Sequence, residues 1–234
     1  MEEIIKLKVK KHLDTFTLKA EFSFVRGFNV ITGPSGSGKT TLLRIMCGFE
    51  KPNEGFMEHS GKIIFNTYKN IFLPPQKRNL SLVFQGENLI PHLTLIENIK
   101  FALKYRKADE DIENLLALFG IKGIEHKYPK EVSGGERQRV AILRSIIGNP
   151  SAILMDEPFS SLDFNIKVEI MRFLKEKLKF NVPVILTTHD PMEALFLADK
   201  IFILLKGKKV AEGGREVIKA YFKPQLKLMS NLLF

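Results

Sequence analysis

Among 234 residues the chain has one cysteine, Cys47, so no internal disulfide is open to it. No apolar run approaches the ~18 residues of a membrane-spanning helix. The start, Met1-Glu2-Glu3-Ile4-Ile5-Lys6, carries acids and lacks the apolar stretch of a secretory signal. There is no internal repeat and no low-complexity linker. Zinc-finger, basic-zipper and RNA-recognition patterns are missing too. These absences argue against a disulfide scaffold, an integral membrane protein and the common nucleic-acid modules, and they lead us to expect a cytoplasmic chain. Cys47 falls in the apolar pattern of a helix and reads as a buried structural thiol.

The composition is that of a globular protein, 44% hydrophobic and 26% charged, with a net charge of +10. Such a charge fits a nucleic-acid binder, a membrane-surface protein or a phosphate-ligand protein with a solvated basic face. The lysines and arginines are scattered rather than blocked, so a solvated face is the default and no nucleic-acid partner is expected.

The segment Gly33-Pro34-Ser35-Gly36-Ser37-Gly38-Lys39-Thr40 fits the G-x-x-x-x-G-K-[ST] phosphate loop. Phe28–Thr32 before it reads as a short buried strand, and Thr41–Met46 after it as the first turns of a helix. Glycines let the backbone fold tightly around an anion, with successive N–H groups aimed inward. The helix N-terminus adds positive potential. Lys39 reaches the β- and γ-phosphates in such a loop, and the Thr40 hydroxyl ligates Mg²⁺.

Residues 17–25 alternate, with Leu18, Ala20, Phe22 and Phe24 on one face, and predict a strand. Lys62–Phe65 and Leu80–Phe84 read as further strands separated by Pro74-Pro75. The character then turns helical. Thr94 and Glu97 form a capping box that opens a helix through about Tyr105, residues 111–119 a second stopped by Gly120, and 136–148 a third. From Ala152 strand and helix alternate: a strand over Ala152–Met155, a helix near 165–180, a strand over Val184–Thr188, a helix over 191–199, and a strand over Ile201–Leu205. The expected architecture is α/β, a parallel sheet interrupted by a helical insert from about 87 to 147.

Ile153-Leu154-Met155-Asp156-Glu157 is an apolar strand ending in two acids. Side-chain alternation along a strand is expected to send the carboxylates to different sides, one to Mg²⁺ and one to a reacting water. Val132-Ser133-Gly134-Gly135-Glu136-Arg137-Gln138 carries the S-x-x-E capping spacing, and its Ser-Gly-Gly helix start offers N–H groups to a second anion.

This segment resembles the signature of ATP-binding-cassette (ABC) ATPases, usually Leu-Ser-Gly-Gly-Gln. Val132 and Glu136 depart from it, while the serine and both glycines are intact. The remaining family motifs follow in order. Gln85 resembles the Q-loop glutamine, Ser160-Ser161-Leu162-Asp163 the D-loop, and Thr187-Thr188-His189-Asp190 the switch segment. The resemblance covers essentially the whole chain.

It implies a P-loop NTPase core of parallel sheet and flanking helices, with an antiparallel β subdomain and an inserted helical one. A short helical tail is expected over about 215–234, with no C-terminal regulatory domain. The implied ligands are ATP and Mg²⁺. Gly33 through Thr40, with Thr41, would hold the phosphates, and Phe16 would stack on adenine, against the plainer reading of Phe16 as a core strand residue. Ser133, Gly134 and Gly135 would complete the site of a second copy in a head-to-tail homodimer, and Asp163 would also contact nucleotide. Thr40, Gln85 and Asp156 would hold Mg²⁺. Glu157, His189, Gln85 and Lys39 would carry the hydrolysis. The implied partners are integral-membrane transporter subunits and, indirectly, a solute-binding protein, with the chain peripheral on the inner face of the cell membrane.

The segment Leu73–Gln85 is similar to importer ATPases for sugars and oxyanions, and Leu13–Leu18 is most similar to molybdate/tungstate importer ATPases. A sugar or other importer, an exporter, a non-transport ABC ATPase and a non-hydrolysing nucleotide switch remain as alternatives.

Overall fold

A computed structural model describes residues 2–84, 86, 89–103, 112–178 and 181–233, with 225–233 described by backbone alone. The chain opens with strands β1 (Glu3–His12), β2 (Thr17–Val25) and β3 (Gly27–Thr32), then helix α1 (Lys39–Cys47). Strands β4 (Glu54–His59), β5 (Lys62–Asn66), β6 (Ile71–Phe72) and β7 (Leu80–Val83) follow. Helices α2 (Leu95–Leu103), α3 (Ile112–Leu118) and α4 (Gly134–Ile147) come next. The chain then runs through β8 (Ala152–Asp156), α5 (Phe164–Leu178), β9 (Pro183–Thr187), α6 (Pro191–Leu197), β10 (Lys200–Leu205), β11 (Lys208–Gly213) and α7 (Arg215–Leu233).

The strands form two sheets. The first is antiparallel, ordered β2-β1-β4-β5-β6; the second is ordered β11-β10-β3-β9-β8-β7 and is parallel except for β11. Strands β8 and β9 are buried at every position, the mark of a parallel sheet covered on both faces. Their side chains alternate between two cores. Val30, Ile153, Met155, Val184 and Leu186 face the core shared with α4–α7. Ile31, Leu154, Ile185 and Phe202 face the core shared with α1 and the antiparallel sheet. In β1 the alternation is amphipathic: Ile5, Leu7 and Val9 are buried, and Lys6 and Lys8 are exposed.

Strands β7 and β8 are parallel neighbours, with Leu80 opposite Ala152. The chain leaves the sheet after β7, builds α2–α4, and returns beside the strand it left. That is how a helical insert is accommodated without disturbing sheet order. Capping boxes start two of these helices. Thr94 Oγ1 accepts from Glu97 N at 3.3 Å, and Glu97 Oε2 accepts from Thr94 N at 2.8 Å. Ser133 and Glu136 repeat the arrangement, at 3.2 Å and 2.7 Å.

The sequence reading omitted β1, β4, β6 and β11. Strands β1 and β11 carry charges along their exposed face, β4 opens on an acid and a glycine, and β6 is two residues long; each is completed by pairing with its neighbours. The helix expected through about Tyr105 is described over Leu95–Leu103, and Tyr105 lies outside the described residues. Among the described residues no helix is long and apolar enough to cross a membrane. Cys47 is buried, and burial pushes its thiol up to about 12.

Candidate functional site

Three strands that are consecutive in the sheet, β3, β9 and β8, end at one edge, and each feeds one motif. Strand β3 runs into the phosphate loop, β8 into Glu157 and β9 into His189. Ligands of open α/β sheets sit at such carboxyl ends.

The loop's shape follows from its glycines. Gly38 takes φ 101° immediately before α1, a left-handed conformation that a side chain resists. At Gly33 an added Cβ would lie 2.0 Å from the Leu204 carbonyl oxygen, so the loop passes hard against β10. Among the described residues no side chain caps the start of α1, whose first N–H groups have no intrahelical partners. Ser37 Oγ is buried, with no hydrogen-bond partner among the described residues.

Lys39 is buried, and its ammonium donates to the carbonyls of Gly33 at 2.8 Å and Pro34 at 3.1 Å. Burial lowers its pKa, against the opposing pull of the Glu157 and Asp156 carboxylates. An open cleft of about 460 Å³ is lined by Phe16, Gly38, Lys39, Thr40, Thr41 and Glu157, with Ser35 and Gly36 at the loop. Phe16 is half-buried at the cleft wall beside Gly38, so it both borders the cleft and packs on the neighbouring core.

Asp156, the last residue of β8, is opposite Thr187 and accepts a 2.5 Å hydrogen bond from the Thr187 hydroxyl. Glu157 corrects the alternation argument. It lies past the strand, with φ 45°, and its N–H donates to the Thr187 carbonyl at 3.1 Å. A left-handed step, not strand pleating, separates the two carboxylates. His189 Nδ1 is 3.2 Å from Glu157 Oε2, so the acid and the exposed imidazole meet at the edge of the cleft.

The structure thus brings together Phe16, the phosphate loop, Asp156, Glu157 and His189. Ser133, Gly134 and Gly135 are at the N-terminus of α4 and are not part of this cleft's lining. An added Cβ on Gly135 would lie 2.9 Å from the Ser161 carbonyl oxygen, so this helix end packs closely on the segment leading to Asp163. Gln85 lies outside the described residues. Two roles in the site were not read from the sequence. Thr187, quoted there only as part of the switch segment, orients Asp156, and Lys167 of α5, not singled out at all, pairs with both Asp190 and Glu193. Only the i, i+3 spacing of Asp190 and Glu193 hints at that cluster.

An oxygen-rich magnesium site fits the residues present. The Thr40 hydroxyl, the nearly buried Asp156 carboxylate and the orphaned Ser37 hydroxyl are hard donors around one phosphate loop. Among the described residues no cluster of three or more His, Cys, Asp or Glu forms a protein cage for a metal. Mg²⁺ in phosphate sites needs few protein ligands, because water and phosphate oxygens supply the rest.

Residues 20–160 match the family model described as ABC transporter. The trehalose/maltose import ATP-binding protein MalK of Thermococcus litoralis is 38% identical over 84% of this chain and 54% of its own length. The molybdenum import ATP-binding protein ModC of Photobacterium profundum is 36% identical over 88% of this chain and 58% of its own. The spermidine/putrescine import ATP-binding protein PotA of Clostridium acetobutylicum is 37% identical over 96% and 64%. The chain therefore spans between about half and two thirds of these relatives' lengths. A dimeric post-hydrolysis ATP-binding cassette bound to ADP and Pi superposes with TM-score 0.75 at 30% identity, covering 91% of this chain and 99% of that one. Motif order, cleft geometry and these likenesses agree, and the chain belongs to the ABC transporter family.

Proposed function

We propose that this chain is the ATP-binding and ATP-hydrolysing subunit of an ABC importer. The observation that carries the reading is that Lys39 and Glu157 line the phosphate-loop cleft, with His189 3.2 Å from Glu157 and Asp156 ending the strand that leads to Glu157. The elements α2–α4 form its helical subdomain, about 87–147, and α7 its C-terminal tail.

In this reading the loop N–H groups and the α1 N-terminus hold the β- and γ-phosphates. Lys39 exchanges the Gly33 and Pro34 carbonyls for phosphate oxygens. That exchange is favourable because a dianionic partner compensates a buried ammonium far better than two carbonyls do. Thr40, Asp156 and Gln85 would hold magnesium, which would neutralise phosphate charge. Glu157 orients and accepts a proton from the attacking water. His189 sits beside Glu157 where the γ-phosphate would end. Phe16 stacks on the adenine.

Ser133, Gly134, Gly135 and Asp163 serve the ATP of a second copy. Their absence from this chain's own cleft supports that assignment, and the dimeric state of the ADP-bound cassette supports it further. Integral-membrane subunits would hold the dimer at the inner face of the membrane, and a solute-binding protein would deliver cargo to them.

For cargo we place a tetrahedral oxyanion first, molybdate or tungstate, on the likeness of the Phe16 region and the 73–85 segment. The molybdenum import relatives support this, and the sugar and polyamine import relatives at similar identity support the broader importer reading. Phosphate release from Mg-ATP by the purified chain tests the core claim. Lys39→Ala should abolish tight Mg-ATP binding in calorimetry with the fold intact. Unchanged affinity would remove the phosphate-loop assignment.

A further inference from the structure

Lys167 is in the first turn of α5 and belongs to none of the motifs. Its backbone N–H donates to the Asp163 carbonyl at 2.9 Å. Its ammonium crosses to α6, reaching Asp190 Oδ2 at 2.8 Å and Glu193 Oε1 at 3.0 Å. The second oxygen of buried Glu193 accepts from Thr188 Oγ1 at 2.5 Å, and that hydroxyl accepts from Asp190 N at 3.0 Å. Of the residues flanking His189, Asp190 is therefore bound to this ammonium directly and Thr188 through Glu193, and the ammonium's own residue is anchored next to Asp163. A cavity of about 200 Å³ has Glu157, Lys167, Thr188, His189, Asp190 and Glu193 in its wall.

The charges are matched for this. Burial alone would weaken the Lys167 ammonium, but its hydrogen bonds to Asp190 and Glu193 overcome burial and raise its pKa. Docking of α5 on α6 has a second tie besides Lys167. Lys175, farther along α5, bonds to the carbonyl of Leu197, the last residue of α6, and to Asp199 just past it at 2.7 Å. Two struts thus hold one pair of helices, and only the first touches the switch segment.

We propose that Lys167 is a positioning residue that sets His189 against Glu157. It fixes Thr188 and Asp190 relative to the 160–163 segment, so the imidazole cannot swing away from the carboxylate during the reaction. The same segment packs on Gly135, so Lys167 also ties the helix end offered to the second copy to the switch that serves the chain's own ATP. This inference rests on the ATP-hydrolysis reading above.

The test compares wild type, Lys167→Met, Lys167→Arg and Asp190→Asn by ATP calorimetry, steady-state phosphate release and thermal unfolding. Lys167→Met should lower kcat by about ten- to a hundredfold, the loss expected when a reacting group is displaced by ~1 Å. ATP affinity and KM should stay within about twofold, since ground-state binding is untouched. Lys167→Arg should restore most of kcat, because it keeps a donor for both carboxylates. If Lys167→Met does not fold, Asp190→Asn carries the test, with a smaller fall in kcat at unchanged KM. Wild-type kcat in Lys167→Met, or in Asp190→Asn where that variant carries the test, overturns the inference. So does a parallel loss of kcat, ATP affinity and melting temperature that arginine does not rescue. A wild-type chain that binds ATP but releases no phosphate would instead overturn the underlying ATPase reading.

Discussion

At Glu157 the backbone leaves β8 in the left-handed region, φ 45°, while its N–H is held by the Thr187 carbonyl. A non-glycine residue there costs about 1–2 kcal/mol, so the side chain is retained against local preference. Glu157→Gln should keep ATP binding and lower hydrolysis by roughly 10²–10⁴, the usual loss of a general base. It should also trap an ATP-bound dimer on size exclusion. Near-normal turnover would take Glu157 out of the chemistry. Glu157→Gly offers a second check: hydrolysis should be lost while stability changes by no more than about 1 kcal/mol, because relief of the left-handed strain offsets the entropy of glycine. A drop of several kcal/mol would mean that this side chain supports the fold instead. Cys47 belongs at the same scale. With its thiol pushed up to about 12, it should resist iodoacetamide at pH 8 in the native protein and react in guanidinium. The sign also predicts lower stability at high pH. The unfolded thiol ionises from about pH 9 and the folded one near 12, so stability falls across that window.

Between elements, the tie that stands out is Arg78. It is buried, and its guanidinium donates to the carbonyls of Ile45 and Met46 in the last turn of α1 at 2.8 and 2.7 Å. It donates also to Leu73 at 2.8 Å and stacks over Phe72, with its carbon 4.6 Å from the ring centroid. Burial lowers its pKa to about 10, which leaves it charged at neutral pH. The negative end of the phosphate-loop helix is thereby capped from the segment that leads into β7. Arg78→Met should destabilise the protein by about 3 kcal/mol or more, since buried carbonyls lose their donors. Chemical denaturation measures this, and a loss under about 1 kcal/mol would show that the carbonyls find other partners. At the start of α4, Ser133→Arg should spare ATP binding by the monomer and block ATP-driven dimerisation. Full activity in that variant would contradict the role proposed for the α4 N-terminus.

For the whole molecule, the cargo proposal has a distinct test. The chain meets only nucleotide in this scheme, so added molybdate should leave its isolated hydrolysis unchanged. With cognate membrane subunits and a loaded binding protein, hydrolysis should rise. Stimulation by a sugar-loaded or polyamine-loaded binding protein, and none by an oxyanion-loaded one, would discard the oxyanion and keep the importer.

The phosphate loop, the Asp156-Glu157 pair and the Ser133–Glu136 capping box were legible in the sequence because each is contiguous. Glycine conformation, helix capping and apolar runs act within a few residues, and a short window contains all the physics. So the family, the alternating core and the residues nominated for the site followed from the chain alone. What the sequence left open depends on register between distant strands. Asp156 meets Thr187, and Glu157 meets His189, only because β8 and β9 pair as they do. The left-handed step at Glu157 is imposed by that pairing, through its N–H to the Thr187 carbonyl, and overrides the alternation read from the strand. Strands β1 and β11 carry too many charges to declare themselves, β4 opens on an acid and a glycine, and β6 is two residues long; all four form because neighbours complete their hydrogen bonds. Lys167 shows the same limit most plainly. Its partners stand 23 and 26 residues away, and a lysine on a helix gives no local sign of which carboxylates tertiary packing will bring to it.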